Sequence, residues 1–510
     1  MICNTGERGV DERLTGRAAS RYELFRLLLD DFLQTFERDA ALWSKTNHSD
    51  VVSNDDSTIR LFAEQSQARP AVVNLQMEDP EMTTSKNVDE FAAYVGIDWA
   101  DQKHVIRLQT AQGTDTEAGE VEQRPEALAE WVAKLRERFK GGKIAVAIEQ
   151  SRGAVVYHLM QYEFLEIYPI NPKTLARYRE AFSMNNASSD QTDADLIVEL
   201  VRVHRDRLRR WIPEDKQTRL LRMLAENRRS LVDSVTEYTN RLTSLLKSYY
   251  PQALELAGCL NTKMACDFLS NWPTVELLKT ADPSQLREFY RKHGSVRKEV
   301  IENRLKIVSR IQPLTTDEAI IEASEMMASA VVGQLRCLNT AIQECDGRIA
   351  EIFAAHPYKH VFDSFPGAGK VLAPRLTVAL GTELDRYRAA SDIQQFSGIA
   401  PVTEQSGKSK WVHRRYACPK FLKQTFHEYA AQSIHWSVWA KAYYDQQKDS
   451  GKGHHATIRA LAFKWIRIMY RCWKDGLAYD EQIYLKALAR RGSPLAATLK
   501  LNTDSNQVGT

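Results

Sequence analysis

The stretch Tyr94-Val95-Gly96-Ile97-Asp98-Trp99-Ala100 decides how the rest of the chain is read. An apolar run ends in a glycine and an aspartate, and the alternating run His104-Val105-Ile106-Arg107-Leu108-Gln109 follows at once. Apolar residues bounded by turn signals predict a buried strand, and the alternation predicts its hairpin partner. Asp98 then stands at the open end of a central strand. A carboxylate is costly to bury unless something cationic meets it, so a metal ion is the first suspect. A turn aspartate satisfied by backbone N–H groups fits the same residues.

Working outward, strands are expected at 92–97, 104–110 and 116–122, and a helix from Pro125 to Phe139 with Leu128, Trp131, Val132 and Leu135 on one face. Lys143-Ile144-Ala145-Val146-Ala147-Ile148 reads as a second buried strand that delivers Glu149. A short helix (153–162), a strand (165–170), a helical segment (173–182), a polar break and a helix from Asp190 complete the pattern. Alternating strands and helices predict an α/β layer sandwich with a mixed sheet. Parallel neighbouring strands put Asp98 and Glu149 side by side at the sheet's carboxyl edge, where ligands bind in open α/β folds. Asp190 and Asp193, three apart, share a helix face. Four acids aimed at one place cannot all stay ionised unless a cation holds them. Two Mg²⁺ ions about 3.5–4 Å apart suit such a set and serve phosphoryl displacement. An N-cap role for Asp190 and dipole-favoured first-turn roles for Asp193 and Asp195 stay open.

With 510 residues, two to four domains are expected at roughly 100–200 residues each. Charge is uneven: residues 1–88 hold 15 acidic and 10 basic side chains, the remainder 59 basic and 51 acidic. A basic body suits a polyanionic partner. Seven scattered cysteines without a CxxC pair argue for a reducing compartment and against structural zinc. Neither a secretory signal nor an apolar run of the ~20 residues needed to span a bilayer is evident, so a cytoplasmic protein is expected. Near the start, 17–45 reads as a helix with the stripe Leu24, Phe25, Leu28, Leu29, Phe32 and Phe36, and 46–88 as linker.

Arginines crowd 202–229, either a solvated face or a track for phosphates. From Pro213-Glu214 a long helix is expected, with the seam Leu221, Leu224, Arg228, Leu231, Val235, Tyr238, Leu242, Leu245, Tyr249. A second seam runs Ala328, Val331, Leu335, Leu338, Ile342, Cys345, Ile349, Ile352. Steps of three and four are a heptad pattern, so an antiparallel hairpin arm is expected, with short helices between. Further on, Phe365-Pro366-Gly367-Ala368-Gly369-Lys370 is no P-loop, but a glycine turn between helices whose N–H groups suit a phosphate. Next come Phe396-Ser397-Gly398-Ile399-Ala400-Pro401 and Gln405-Ser406-Gly407. Six basic residues and no acid then fill 408–424 (Lys408, Lys410, Arg414, Arg415, Lys420, Lys423), interleaved with Trp411, Tyr416 and Phe421. Charge for phosphates and rings for stacking make this the best nucleic-acid patch in the chain. Ser406 at its head is either a turn residue or a nucleophile activated by cations.

In this order, Gly96-Ile97-Asp98, Ile148-Glu149, Asp190-Gln191-Thr192-Asp193-Ala194 and the three carboxyl-terminal motifs resemble the IS-one-ten family of insertion-sequence transposases, bridge-RNA-guided DEDD recombinases. The resemblance covers about 92–205 and 360–475. It implies an α/β RNase-H-like (Holliday-junction-resolvase-like) domain at 90–210, an antiparallel coiled-coil arm with an insert at 211–356, and a mainly α-helical transposase domain at 357–480, flanked by an extension (1–89) and a tail (481–510). It also implies that Asp98, Glu149, Asp190 and Asp193 bind Mg²⁺, that Ser406 forms a phosphoserine link to DNA, and that a dimer or tetramer acts with a non-coding bridge RNA in a bacterial or archaeal nucleoid. Ser188-Ser189 stand where the family often has Lys-Thr, and residues 1–88 have no counterpart in it. Three rivals remain: a metal-only junction nuclease using water, a sugar-kinase-like ATPase suggested by Gly96-Ile97-Asp98 without the Gly-Thr turn, and a non-catalytic nucleic-acid-binding protein.

Overall fold

The computed structural model describes residues 90–182, 189–407 and 409–499, so the helix and linker expected before residue 89 lie outside the described residues. The described chain divides into two units. One takes the residues up to Arg219 together with Gly381–Arg386, and the other takes Leu220–Leu380 and those from Tyr387 onward.

The first unit is built on one sheet of β1 (Ala93–Asp98), β2 (Lys103–Thr110), β3 (Thr116–Glu122), β4 (Ile144–Ile148) and β5 (Leu165–Pro169), in the order β3-β2-β1-β4-β5. β1, β2 and β3 are antiparallel neighbours, whereas β1, β4 and β5 run parallel. This is the expected mixed sheet. Helices α1 (Pro125–Arg138) and α2 (Ala154–Leu159) cover one face, and α3 (Pro172–Phe182) and α4 (Asp190–Val203) belong to the other. Strand periodicity assigns the residues: Val95, Ile97, Val146 and Ile148 pack with Leu128, Val132 and Val156, whereas Tyr94, Ala145 and Ala147 pack with Ile197, Val198 and Val201. The small residues on the second face let α4 come close. A Cβ on Gly96 would stand 2.6 Å from Ala194 O and from Val198 N. Each aliphatic side chain buried on α4 is worth about 1.5–3 kcal/mol. Acids in a first helical turn gain only about 0.3–1 kcal/mol from the dipole. The apolar face therefore fixes where α4 lies, and its acids ride along.

Asp215 accepts the Thr218 N–H at 3.0 Å as an N-cap, so α5 (Lys216–Tyr249) starts slightly later than the Pro-Glu pair suggests. Glu214 is buried instead, accepting the N–H and Oγ1–H of Thr382 at 2.9 and 2.7 Å and pairing with Arg386. That contact holds 381–386 in the sheet unit.

In the other unit, five short helices follow α5: α6 (Ala253–Leu256), α7 (Lys263–Asn271), α8 (Val275–Lys279), α9 (Pro283–Lys292) and α10 (Lys298–Arg310). Then comes α11 (Glu318–Ala354), which, like α5, is roughly 50 Å or more long at 1.5 Å per residue. Arg228 pairs with Asp346 and Arg241 meets Met327, so α5 and α11 run in opposite directions. Leu221, Val235, Leu242 and Tyr249 of the expected seam are buried, as are Ala328, Val331, Leu335, Ile349 and Ile352. Ala225 and Leu246 are buried as well, and Val235, Leu242 and Leu246 share one core with residues of α6–α10.

The remainder is α12 (Lys359–Asp363), α13 (Gly369–Leu380), α14 (Ala390–Phe396), the hairpin β6 (Val402–Ser406) and β7 (Ser409–His413), then α15 (Lys420–Ser433), α16 (Val438–Asp449), α17 (His454–Asp475) and α18 (Glu481–Arg490). Trp439, Trp465, Trp473, Tyr429 and Phe365 fill its core. Their polar edges are met: Trp465 Nε1 donates to Ser433 Oγ and Trp439 Nε1 to Tyr479 Oη, both at 2.8 Å. No helix among the described residues is long and apolar enough to cross a membrane.

Candidate active site

Ile97 pairs with Ile148 across parallel β1 and β4, so Asp98 and Glu149, one step further on, are side by side. Asp98 is in phase with Gly96, and Glu149 with Ala147, which aims both at the face covered by α4. The same steric gap at Gly96 that seats α4 therefore brings its first turn to these strand ends.

That first turn carries Asp190 and Asp193. Ser189 is the N-cap, its Oγ accepting the Thr192 N–H at 3.2 Å, so the exposed Asp190 carboxylate is not the cap. Asp193 is buried and accepts from Nε of Arg179, on α3, at 2.8 Å, with Nη2 also bonded. Asp195 turns away to Arg107 Nε at 2.7 Å.

Burial pushes the Asp98 carboxyl up to about 6, helped by the charges of Asp190, Asp193 and Glu149 and opposed by Arg179. Burial and Asp193 likewise raise Glu149, again against Arg179. Asp98 thus feels the charge of the other three acids, and Glu149 that of Asp193. Among the described residues, however, no three His, Cys, Asp or Glu side chains stand close enough to hold a metal ion. At Asp193 the Arg179 guanidinium supplies the positive charge. The donor set still suits a hard ion: Mg²⁺ takes one or two carboxylates and fills its octahedron with water or phosphate oxygens. Arg179 is the residue that sequence reasoning missed.

In the other unit, β6 and β7 pair antiparallel with Ser406 opposite Ser409, leaving a two-residue turn. Gly407 supplies it with φ of 55°. Ser406 is exposed beside this turn, and Lys408 lies outside the described residues. Trp411, 59% exposed, stacks on His413 with ring centroids 4.1 Å apart. Tyr416, 68% exposed, lies under the Arg414 guanidinium at 4.6 Å. Lys410, Arg414 and Lys420 are exposed, but Arg415 is partly buried. Lys423 turns inward, its Nζ 3.4 Å from Arg415 O, and burial followed by Arg414 and Arg459 lowers its pKa against Cys418 and Tyr416. The basic run therefore splits into an outer set and an inner pair.

In the arginine-rich stretch 202–229, several guanidinium groups are engaged within the fold. Arg205 meets Tyr94 and Phe91, Arg210 pairs with Glu166 at 2.9 Å, and Arg222 donates to Val378 O at 2.7 Å. Arg228 and Arg229 pair with Asp346 and Asp233.

Two family models match the chain. A model described as Transposase, of the DEDD IS110 type, matches 95–251, and one described as Transposase IS116/IS110/IS902 family matches 359–445. The mini-circle putative transposase for IS117 of Streptomyces coelicolor is 25% identical over 77% of this chain and 97% of its own length. The insertion element IS110 43.6 kDa protein of the same organism is 24% identical over 58% and 73%. The insertion element IS116 44.8 kDa protein of Streptomyces clavuligerus is 23% identical over 75% and 94%.

Proposed function

This chain belongs to the IS110 (IS-one-ten) family of insertion-sequence transposases, and from that premise we propose that it cuts and rejoins DNA strands with a four-carboxylate site and a serine nucleophile. The sheet order β3-β2-β1-β4-β5 supports reading the first unit as RNase-H-like, and the opposed long helices support a coiled-coil arm. The observation that carries the proposal is that Asp98 and Glu149 end adjacent parallel strands, with Asp190 and Asp193 of α4 near enough for their charges to add to burial in raising the Asp98 carboxyl.

In this reading Asp98, Glu149, Asp190 and Asp193 would hold divalent cations. The bound metal supplies positive charge against the negative charge developing on the phosphate. Ser406 Oγ attacks the scissile phosphorus, and its proton leaves to solvent. A new O–P bond forms, one bridging P–O bond breaks, and the departing sugar oxygen keeps the electron pair and takes up a proton. Attack by a sugar hydroxyl of another strand reverses the step and rejoins DNA without net hydrolysis. Lys410, Arg414 and Lys420 hold backbone phosphates, Trp411 and Tyr416 stack on bases, and Arg415 and Lys423 support them from beneath. The reading further has two or four copies acting at the nucleoid with a non-coding bridge RNA.

With element-end DNA, its flanking RNA and Mg²⁺, the wild-type chain is expected to yield a denaturant-stable protein–DNA adduct, and Ser406→Ala none. DNA cleavage that persists in Ser406→Ala would identify a metal-only nuclease using water.

A further inference from the structure

The short helices between α5 and α11 carry a cationic turn that lies outside both basic stretches, 202–229 and 408–424. Residues 283–310 hold eight basic and three acidic side chains. Four of the basic ones, Arg291, Lys292, Arg297 and Lys298, crowd the turn between α9 and α10, and residues 291–298 contain no acid. All four are exposed, and Val296 between them is 91% exposed, so the turn stands out into solvent. Nearby arginines are engaged within the fold. Arg287 donates to Glu302 twice, Nε to Oε1 at 2.8 Å and Nη2 to Oε2 at 3.1 Å. The Arg304 guanidinium lies over the Tyr290 ring at 4.6 Å, and Arg336 pairs with Asp267 at 2.7 Å. Among the described residues, none of the four turn cations forms an ion pair. Lys298 only adds to the positive charge felt by Glu302.

Helix chemistry explains half of this cluster. Arg291 and Lys292 end α9, where the dipole favours cations. Arg297 is the N-cap of α10 and Lys298 its first residue, where the dipole disfavours them, and the Arg297 side chain caps no N–H. Local stability therefore does not account for the second pair. The turn also holds its shape. Ser295 N–H donates to Tyr290 O at 2.9 Å and Gly294 N–H to Arg291 O at 3.0 Å, a helix ending that needs a left-handed residue, and Gly294 has φ of 80°. Leu286, Tyr290 and Ile301 anchor both helices in one core. A turn fixed in advance loses little freedom on meeting a partner. No exposed ring accompanies these cations: Phe289 and Tyr290 are buried, whereas Trp411 and Tyr416 stand exposed in 408–424. Unpaired bases are held by stacking, so cations without rings suit phosphates whose bases are already paired.

We propose that the α9–α10 turn is a docking surface for the backbone of duplex DNA, its four cations set against phosphates. The inference rests on the DNA reading above, and its test is separable from it. Full-length protein is titrated across a salt series with a labelled DNA duplex, with one of its single strands and with duplex RNA of the same sequence. The double variant Arg297→Asp, Lys298→Glu is expected to melt no lower than wild type, because aspartate caps a helix and glutamate suits its first turn. It is expected nonetheless to bind the DNA duplex about tenfold more weakly, with a salt slope smaller by roughly 2. Lys134→Ala, which removes a lysine paired with Glu130, is expected to bind as wild type. Undiminished duplex affinity in the double variant overturns the surface, as does a wild-type chain that does not bind duplex DNA. A loss confined to the single strand or to duplex RNA overturns it too. If the surface fails while wild-type protein still forms the adduct, the serine reading stands without it. If the double variant loses duplex binding while wild-type protein forms no adduct, the surface stands and the serine reading falls.

Discussion

At Asp98, charge works against the fold. Its carboxyl is pushed up to about 6 from the ordinary 3.8, first by burial and then by Asp190, Asp193 and Glu149, so near neutral pH the native state carries a desolvation cost and a repulsion that the unfolded chain lacks. A shift of this size corresponds to about 3 kcal/mol. Because the group is only half-buried, screening leaves about 1 kcal/mol. Asp98→Asn is therefore expected to melt a few degrees above wild type in chelator while losing the DNA adduct, as a calorimetric scan would read. A lower melting point would mean that neither burial nor the neighbouring acids destabilise the Asp98 carboxylate. Arg179→Gln, which removes the guanidinium from Asp193, is expected to tighten Mn²⁺ binding by about tenfold in titration calorimetry, since an internal cation no longer competes. Unchanged affinity would place the ion elsewhere. Asp98 and Glu149 were legible because each ends an apolar strand. Arg179 was not: a basic residue in a last helical turn has an ordinary dipole role, and only the packing of α3 beside α4 gives it another.

Among the elements, the two polar strands around Ser406 escaped sequence reading. β6 is exposed along most of its length, so it has no inward face to reveal a period of two. The long helices were legible because their apolar residues recur at three and four. Glycines mark what fixes the hairpin region. Gly407 has φ of 55° in open space, and Gly398 has φ of 74° with a missing Cβ that would strike Cys418 Sγ. Gly407→Ala is expected to cost about 1 kcal/mol and Gly398→Ala about 2–4 kcal/mol, read as denaturant midpoints. Equal losses would show that Cys418 yields. On α15, His427 is held down to about 3 by burial and by Arg459, His455, His454 and Lys423. Above pH 6.5 it is neutral folded or unfolded. Between 6.5 and about 3 only the unfolded chain takes the proton, so stability falls on acidification by up to about 1.4 kcal/mol per pH unit. His427→Gln is expected to flatten that slope in unfolding curves measured from pH 7 to 4.5.

For the molecule as a whole, linear order and spatial grouping part company at 381–386. The hexapeptide sits between α13 and α14 in sequence yet joins the sheet unit through Glu214, Thr382 and Arg386. No composition shift marks it, so sequence reading could divide the chain only into consecutive blocks. A fragment of residues 90–219 is expected to melt well below the same unit in the full chain, because Glu214 is left without its partners. Glu214→Gln within that fragment is expected to recover part of the loss. Matching melting points for fragment and full chain would remove the hexapeptide from the fold.

The peptide crosses between the units inside α5 and again on each side of residues 381–386. A gene crossover anywhere in the codons for 220–380 would thus give the sheet unit a hexapeptide from another lineage. Only those hybrids whose donor also answers a buried glutamate would persist, so one side chain filters which mosaics of this family can arise.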